Sequence, residues 1–419
     1  MIALSIVAIV NRLCERATPC QHEPIYHTSK AEVIALEAER RTTHGFRIVS
    51  SEALGGENPY IRLFYEALDP WGVRASGPFE ATTAWLERHQ GDCDGLHFHW
   101  PEWVVERNTT WARRIYTARG GWRLRGPLRF VSKLQKLHQL RRFLRQAKSR
   151  GKRIIWTCHN LQPHEDRGWV VAEAIRAVAA AADLIITHDA TALLDCRQMY
   201  RPEGRLVTMP IGNYAGVYPP PRPAAEFRAA IGLSRGGPLV SCVGQIRPYK
   251  GLEQACQAVA RLGPAVSFVV AGDPPSPGYL RQIRGEIERL SNAVLIDRAL
   301  GDQEFADLVG ASDAILLPYR SVTGSSAALA ALSLGSGVIA SDLPFFKSLL
   351  ADHPLAGRTF RRGDASDLAL AITAYLAVPE ELRREAARNL AAEFAWPRVI
   401  QPVAQIIDEW CQGVGAHPD

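Results

Sequence analysis

The stretch Val240-Ser241-Cys242-Val243-Gly244-Gln245-Ile246-Arg247-Pro248-Tyr249-Lys250-Gly251 constrains the fold of this chain more than any other. It reads as a buried strand, a glycine turn, two cations three residues apart, and a second glycine opening a helix. Three further segments follow at the spacing of successive strand–helix units. They are Phe268 to Asp273, Ala314 to Arg320 and Val338 to Ser341. Short apolar runs alternating with helical patterns argue for a parallel sheet covered on both faces, an α/β architecture. The turn itself has the chemistry of an anion cradle. Glycine admits a close backbone approach, a helix N-terminus offers free N–H groups, and Arg247 and Lys250 bring positive charge. The same pair also suits a solvated surface turn.

The rest of the chain extends the pattern. Phe46 to Ser50 reads as a strand, followed by a loop, Gly55 to Tyr60, and an amphipathic helix, Ile61 to Leu68. Gly95 to Trp100, Arg153 to Asn160, Ala182 to His188 and Leu206 to Asn213 read as further buried strands. Between Gly216 and Phe227 stand Pro219, Pro220, Pro221 and Pro223, the signature of a linker. A second α/β unit then runs over 228–390, and Phe394 to Ile400 starts a final helix within 391–419. Residues 1–44 fit no unit of this pattern. They hold one helix pattern, Lys30 to Arg41, and an apolar start, Met1 to Val10, about half as long as a membrane span requires. That start suits a strand or an interfacial anchor. At 419 residues the chain has room for two domains. Its eight cysteines show no C-x-x-C spacing, which disfavours structural zinc and a disulfide framework and fits a cytoplasmic setting.

With these segments in this order, the chain resembles the GT-B glycosyltransferases. The resemblance implies two Rossmann-like domains facing a cleft. An acceptor-side domain would cover 45–215, a linker 216–227 and a nucleotide-sugar domain 228–390, with the C-terminal helix crossing back to the first domain. It also implies that Gly244, Arg247, Lys250 and Gly251 contact a diphosphate. Asp273, in the Gly272-Asp273 turn, would line the nucleotide cleft or brace its own turn. Thr323-Gly324-Ser325-Ser326, before the helix starting at Ala327, would add a phosphate nest or simply a helix cap. No resident cofactor or metal is implied, since basic side chains and helix N-termini hold the leaving diphosphate.

One departure is informative. Family-four glycosyltransferases carry a Glu-x7-Glu motif here, and this chain has Val322 and Ala330 in the matching places. The Thr-Gly-Ser-Ser variant, the following Ala/Leu-rich helix and the His97-x-His99-Trp100-Pro101-Glu102 strand end resemble a narrower group. These are the β-1,4-mannosyltransferases of bacterial exopolysaccharide assembly, of the xanthan type. That resemblance implies GDP-mannose or a UDP-sugar as donor and a lipid-linked or saccharide acceptor.

In the first domain His97, His99, Glu102, His159 and Glu165 fall at or beyond strand C-termini, where open α/β sheets bind ligands. A transferase that inverts configuration needs a base for the acceptor hydroxyl, and His or Glu can serve. His159 and Glu102 are the leading candidates. Gly56, His97 and His99 would line the acceptor side, although a core role for one of the two histidines fits equally, and His-x-His alone is weak evidence for metal.

The region 107–153 holds sixteen Lys or Arg and no Asp or Glu. Val131, Leu134, Leu137, Leu140 and Leu144 recur in it at helical spacing, with Trp111, Trp122 and Phe130 interleaved. A basic amphipathic helix of this kind suits an anionic membrane surface, on the inner face of the cell membrane, or a helix packed in the domain with its charges in water. No nucleic-acid-binding motif accompanies it. The missing Glu pair also leaves open a protein that binds nucleotide sugars without turning them over.

Overall fold

The computed structural model describes residues 45–56, 59–106, 125–161, 168–233, 236–274 and 277–413. The expected N-terminal helix and Glu165 lie outside the described residues, as do 107–124 of the basic region. Two six-stranded parallel sheets form the molecule. The first contains β1 (Phe46–Ser50), β2 (Val73–Ser76), β3 (Gly95–Phe98), β4 (Arg153–Thr157), β5 (Leu184–Thr187) and β6 (Arg205–Thr208), in the order β2-β1-β3-β4-β5-β6. The second contains β7 (Leu239–Val243), β8 (Ser267–Ala271), β9 (Ala293–Ile296), β10 (Ala314–Leu317), β11 (Gly337–Ser341) and β12 (Gly357–Phe360). Its order is β12-β11-β10-β7-β8-β9.

Each order reverses direction once, between β1 and β3 in the first sheet and between β7 and β10 in the second. Beyond the carboxyl ends of strands at such a switch point the connecting chains diverge and leave a crevice. Residues following β1, β3, β7 and β10 all meet in one cleft of ≈ 910 Å³. The central strands are buried runs of Val, Ile, Leu and Phe. The edge strands β2 and β12 are only partly buried, with Arg74, Arg358 and Thr359 exposed. Lacking a continuous apolar run, they escape a reading based on hydrophobic pattern.

An apolar core runs from Phe46 and Ile48 through Ile211, Leu317 and Leu329 to Ile407, spanning both sheets. The C-terminal segment secures it. Pro402 splits this segment into helices Trp396–Val399 and Gln401–Cys411. Trp396 Nε1 donates to the Asn213 carbonyl at 2.9 Å, and Trp410 packs against Phe46 at 5.9 Å. In the proline-rich connection a helix, Ala224–Ala230, begins inside the stretch read as linker. Pro223 occupies its N-cap, where a missing N–H breaks no helical bond. Arg222 ties the connection to the second domain through three hydrogen bonds to the buried Asp307 carboxylate at 2.6–2.8 Å.

The basic helix, Arg125–Ser149, resolves into a core element. Leu137, Leu140, Phe143, Leu144 and Ala147 are buried against the first sheet and its neighbours, so this apolar stripe is already covered. Its outer charges are partly spent as well, with Arg141 bound to Glu173 and Lys148 to Asp183, each at 2.5 Å. No described helix is long and apolar enough to cross a membrane.

Candidate active site

The cleft has two unlike walls. The second-domain wall begins at the turn after β7, where Gly244, Gln245, Arg247, Tyr249 and Lys250 line the space. Gly251 closes the turn with φ 65°, and a Cβ there would lie 2.1 Å from the Pro318 carbonyl oxygen. Only glycine permits both the left-handed backbone and this approach to the end of β10. Lys250 is buried, with Nζ 3.4 Å from the Val243 carbonyl and 5.6 Å from the centre of the Tyr319 ring. Burial above all, with Arg247 adding, pulls its ammonium down to about 8. A cation held in that condition gains from an anionic ligand, whose charge restores its affinity for the proton.

The wall continues with Gly324, Ser325 and Ser326 at the N-terminus of the Ser326–Ser333 helix. Ser325 Oγ caps that helix by accepting from the Ala328 N–H at 3.2 Å. Val322 and Ala330 also line the cleft, so the wall is apolar where the two carboxylates of the family-four motif would stand. Three residues expected here sit elsewhere. Gly251 shapes the turn from behind. Asp273 is exposed and contributes its carbonyl, which accepts from the Ile246 N–H at 2.9 Å. The Thr323 hydroxyl crosses between domains and donates to the His159 carbonyl at 2.6 Å. Gly324 follows from that crossing, because a Cβ on it would lie 3.1 Å from His188 Cβ.

The first-domain wall is aromatic and acidic. Glu52 comes from the end of β1, Gly56 from the next loop, Tyr60 from the Pro59–Leu68 helix, and Trp100, Glu102 and Trp103 from beyond β3. His159 and His188 follow β4 and β5. His97 and His99, expected on this wall, stand behind it, with 0% and 1% exposure. Alternation along β3 puts both on one face, their rings 4.1 Å apart, but Tyr60, Phe64 and Tyr65 pack over that face.

These histidines form a hydrogen-bonded chain. His188 Nδ1 lies 3.0 Å from the Met209 carbonyl, which can only accept, so this nitrogen carries a proton. In a neutral ring, His188 Nε2 then accepts from His159 Nδ1 at 3.2 Å. His159 Nε2 in turn accepts from His99 Nδ1 at 3.2 Å, and His99 Nε2 accepts from the Tyr65 hydroxyl at 3.2 Å. Tyr65 Oη accepts from His97 Nδ1 at 2.9 Å, and His97 Nε2 accepts from Thr157 Oγ1 at 2.9 Å. Every donor meets one acceptor with all four rings uncharged. Their proton affinities agree. Burial pulls His97 down to about 3 and His188 to about 4, and it holds His99 and His159 well below the usual range, where a second protonated imidazole alongside would add like-charge repulsion.

The chain changes the reading of His159. Both of its ring nitrogens are engaged by other histidines, and Trp100 stacks on its face at 4.5 Å. In this arrangement no lone pair of His159 is directed at the cleft, and the ring is held between Trp100 and its histidine partners. Glu102, in the first turn of the Pro101–Glu106 helix, and Glu52 are the carboxylates that the first domain brings to the cleft among the described residues. Glu52 and His188 were not anticipated. His188 obeys the strand-end rule that singled out His159, whereas Tyr214 carried no signal beyond being aromatic.

Residues 224–392, which contain the basic turn and the Thr-Gly-Ser-Ser loop, match the family of Glycosyl transferases group 1. The chain is a glycosyltransferase. Over 350 residues it is 27% identical to a GDP-mannose:glycolipid 4-beta-D-mannosyltransferase of Xanthomonas campestris pv. campestris, covering 82% of this chain and 86% of the relative. Over 173 residues it is 32% identical to a phosphatidyl-myo-inositol mannosyltransferase of Propionibacterium freudenreichii subsp. shermanii, covering 39% of this chain and 42% of the relative. Among solved structures, sucrose-phosphate synthase from Thermosynechococcus elongatus superposes with TM-score 0.65 at 18% identity, covering 88% of the transferase and 100% of that chain. The Anabaena protein HepE in complex with UDP and glucose superposes with TM-score 0.60 at 16% identity, covering 87% and 100%. These likenesses establish the GT-B fold of the transferase.

Proposed function

We propose that this glycosyltransferase moves a hexose, mannose from GDP-mannose in the first instance, to a glycolipid acceptor of exopolysaccharide assembly, with inversion at the anomeric carbon. The observation that carries the reading is the opposition of the two cleft walls. Lys250, Arg247 and the N-terminus of the Ser326–Ser333 helix face Glu102 and Glu52 across one space. The mannose and glycolipid assignments draw on the names of the relatives.

In this reading Glu102 accepts the proton of the acceptor hydroxyl as that oxygen bonds to the anomeric carbon. The bond from carbon to diphosphate oxygen breaks in the same step. Lys250, Arg247 and the helix N–H groups take up the charge of the departing diphosphate, in place of a divalent metal. Inversion is favoured because the second-domain wall offers Val322 and Ala330 where a carboxylate would flank the sugar, while the first domain supplies carboxylates suited to a base. Purified protein incubated with GDP-mannose, UDP-sugars and a lipid-linked acceptor tests this, with product linkage read by NMR. Transfer in EDTA giving a β-linked product supports the reading, and an α-linked product from the α-linked donor removes inversion.

We place membrane association at the exposed start of the basic helix and its aromatic neighbours, not on the buried part of its stripe. Trp103, Phe130, Val131 and Trp169 are 43–58% exposed, and the Phe130 and Trp169 rings meet at 6.1 Å. Trp103 also lines the cleft, and its helix packs against the basic helix and the Trp169–Ala181 helix, which carry Phe130 and Trp169, with Arg129 exposed beside Phe130. Aromatic side chains flanked by cations suit the interface of an anionic bilayer. A glycolipid could then reach Glu102 without leaving the membrane surface.

A further inference from the structure

Thr323 stands in the loop from β10 to the Ser326–Ser333 helix. It does not itself line the cleft, although Val322, Gly324 and Ser325 around it do. The loop is anchored at both ends to the cationic wall. At its start the Arg320 N–H donates to the carbonyl of Tyr249, inside the β7 turn, at 2.7 Å. At its end Ser325 caps the helix, its Oγ accepting from the Ala328 N–H at 3.2 Å. Between these anchors Thr323 turns to the other domain. Its hydroxyl donates to the His159 carbonyl at 2.6 Å, between residues 164 positions apart. Gly324 makes room for that approach, since a Cβ on it would lie 2.9 Å from Ile211 Cδ1 and 3.1 Å from His188 Cβ.

The carbonyl that Thr323 reaches belongs to the acceptor wall. β4 ends at Thr157, so the sheet ladder does not hold the His159 carbonyl. From His159 the wall leads directly to the proposed base. Trp100 lies nearly flat on the His159 ring, 4.5 Å away with planes 17° apart. The Trp100 carbonyl accepts from the Trp103 N–H at 3.1 Å and so opens the Pro101–Glu106 helix, whose second residue is Glu102. One hydroxyl thus ties the helix N-terminus on the cationic side to the wall that carries the carboxylate. The bond is only part-buried, so solvent can replace it without leaving a buried polar group unpaired.

On the reading that Glu102 takes the acceptor proton and the helix N-terminus takes the diphosphate, we infer that Thr323 is a positioning residue of the transfer reaction. Its hydroxyl sets the register of the two walls. With it comes the line from acceptor oxygen through anomeric carbon to departing phosphate. Thr323 touches no reacting atom and acts through His159 and Trp100 on Glu102. Displacement along such a line is steep in distance, and a misplacement of about 1 Å costs about 10²-fold in rate.

The experiment compares the parent with Thr323→Val, which keeps the shape and loses the donor, and with Thr323→Ser, which keeps the hydroxyl. Glu102→Gln and the double variant carrying Thr323→Val and Glu102→Gln complete a cycle. Each is measured by thermal unfolding, by calorimetric affinity for GDP, and by kcat and KM with GDP-mannose and a glycolipid acceptor. Thr323→Val is expected to unfold at the parental temperature and to bind GDP with parental affinity, while its kcat falls by about 10- to 100-fold. Thr323→Ser recovers most of the lost turnover. Adding Thr323→Val to Glu102→Gln costs little more, because the displaced wall no longer carries a base to misalign. Parental kcat in Thr323→Val overturns the inference, as do equal losses in the valine and serine variants. So does a loss of GDP affinity that matches the loss of turnover, which places Thr323 on the donor, and so do losses that add in the double variant. Parental turnover in Glu102→Gln removes the base assignment and this inference with it. A deep loss there beside parental Thr323→Val removes this inference alone.

Discussion

The two walls of the cleft are built in opposite ways. On the second-domain side, the cations and the turn that presents them come from one short stretch between Gly244 and Gly251. On the first-domain side, Glu52, Tyr60, Trp100, Glu102, His159 and His188 come from the ends of separate strands and one helix, brought together by the sheet order β1-β3-β4-β5. A wall made from a contiguous turn binds by local charge and backbone geometry. A wall assembled from distant strand ends depends on the interior that holds them, here a hydrogen-bonded file of histidines. Damage to the first wall should therefore change ligand binding, and damage to the second should change turnover or stability.

The largest effect expected is on turnover. Glu102→Gln should lower kcat by about 10²–10⁴-fold, the usual contribution of a general base, and leave GDP affinity at the parental value. His159→Gln should cost far less, because the ring it replaces directs no lone pair at the cleft. Equal losses in the two variants, measured in initial-rate assays, would restore His159 to a catalytic role and erase that contrast.

Binding comes next. Lys250→Ala and Arg247→Ala should each weaken nucleoside-diphosphate binding by about 1.5–3 kcal/mol, the worth of a hydrogen bond to a charged group. Calorimetric titration at pH 7 checks this, and unchanged affinity in both variants would mean that the turn does not hold the diphosphate. Since the free Lys250 ammonium sits at about 8, affinity in the parent should also decline as pH rises past 8, a dependence lost in Lys250→Ala.

Stability against pH tests the histidine file. His97 and His188, at about 3 and about 4 against an ordinary 6.5, stay neutral in the fold while the unfolded chain takes up protons. Stability should thus fall as pH drops from 6.5 toward 4, each histidine contributing up to about 1.4 kcal/mol per pH unit, and should be insensitive to them above pH 7.5. Denaturant unfolding across this range reads the slope, and a flat profile between pH 6.5 and 5 would mean that the file does not form.

The smallest effect is expected at the membrane patch. Phe130→Ala with Trp169→Ala should weaken binding to vesicles rich in anionic phospholipid by several-fold, and Arg142→Gln, on the far side of the basic helix, should matter less. Sedimentation with vesicles distinguishes them, and the reverse order would return the contact to the helix charges.

Some of this was legible in the residues. The β7 turn, the Thr-Gly-Ser-Ser loop and the central strands could be read because each is a contiguous signal, a glycine at a needed turn or an unbroken apolar run. The basic helix was half legible. Its periodicity showed an apolar stripe, but periodicity is the same whether the stripe faces lipid or a sheet, and Leu140 and Phe143 face the sheet. Tyr214 and Glu52 could not be selected, because residue type is their only local mark and their meaning lies in what stands opposite.

Short-range sterics and hydrophobic period dictate the set of parallel strand units and the cationic turn at Gly244–Gly251, so the order of residues carries both. Tertiary structure alone decided that His97 and His99 are interior, that His159 has its nitrogens occupied, and that Tyr214 is buried at the cleft. The histidine outcomes turn on hydrogen-bond partners 29 to 60 residues away, such as His188 for His159 and Thr157 for His97, and chain-local patterns carry no record of a partner at that distance.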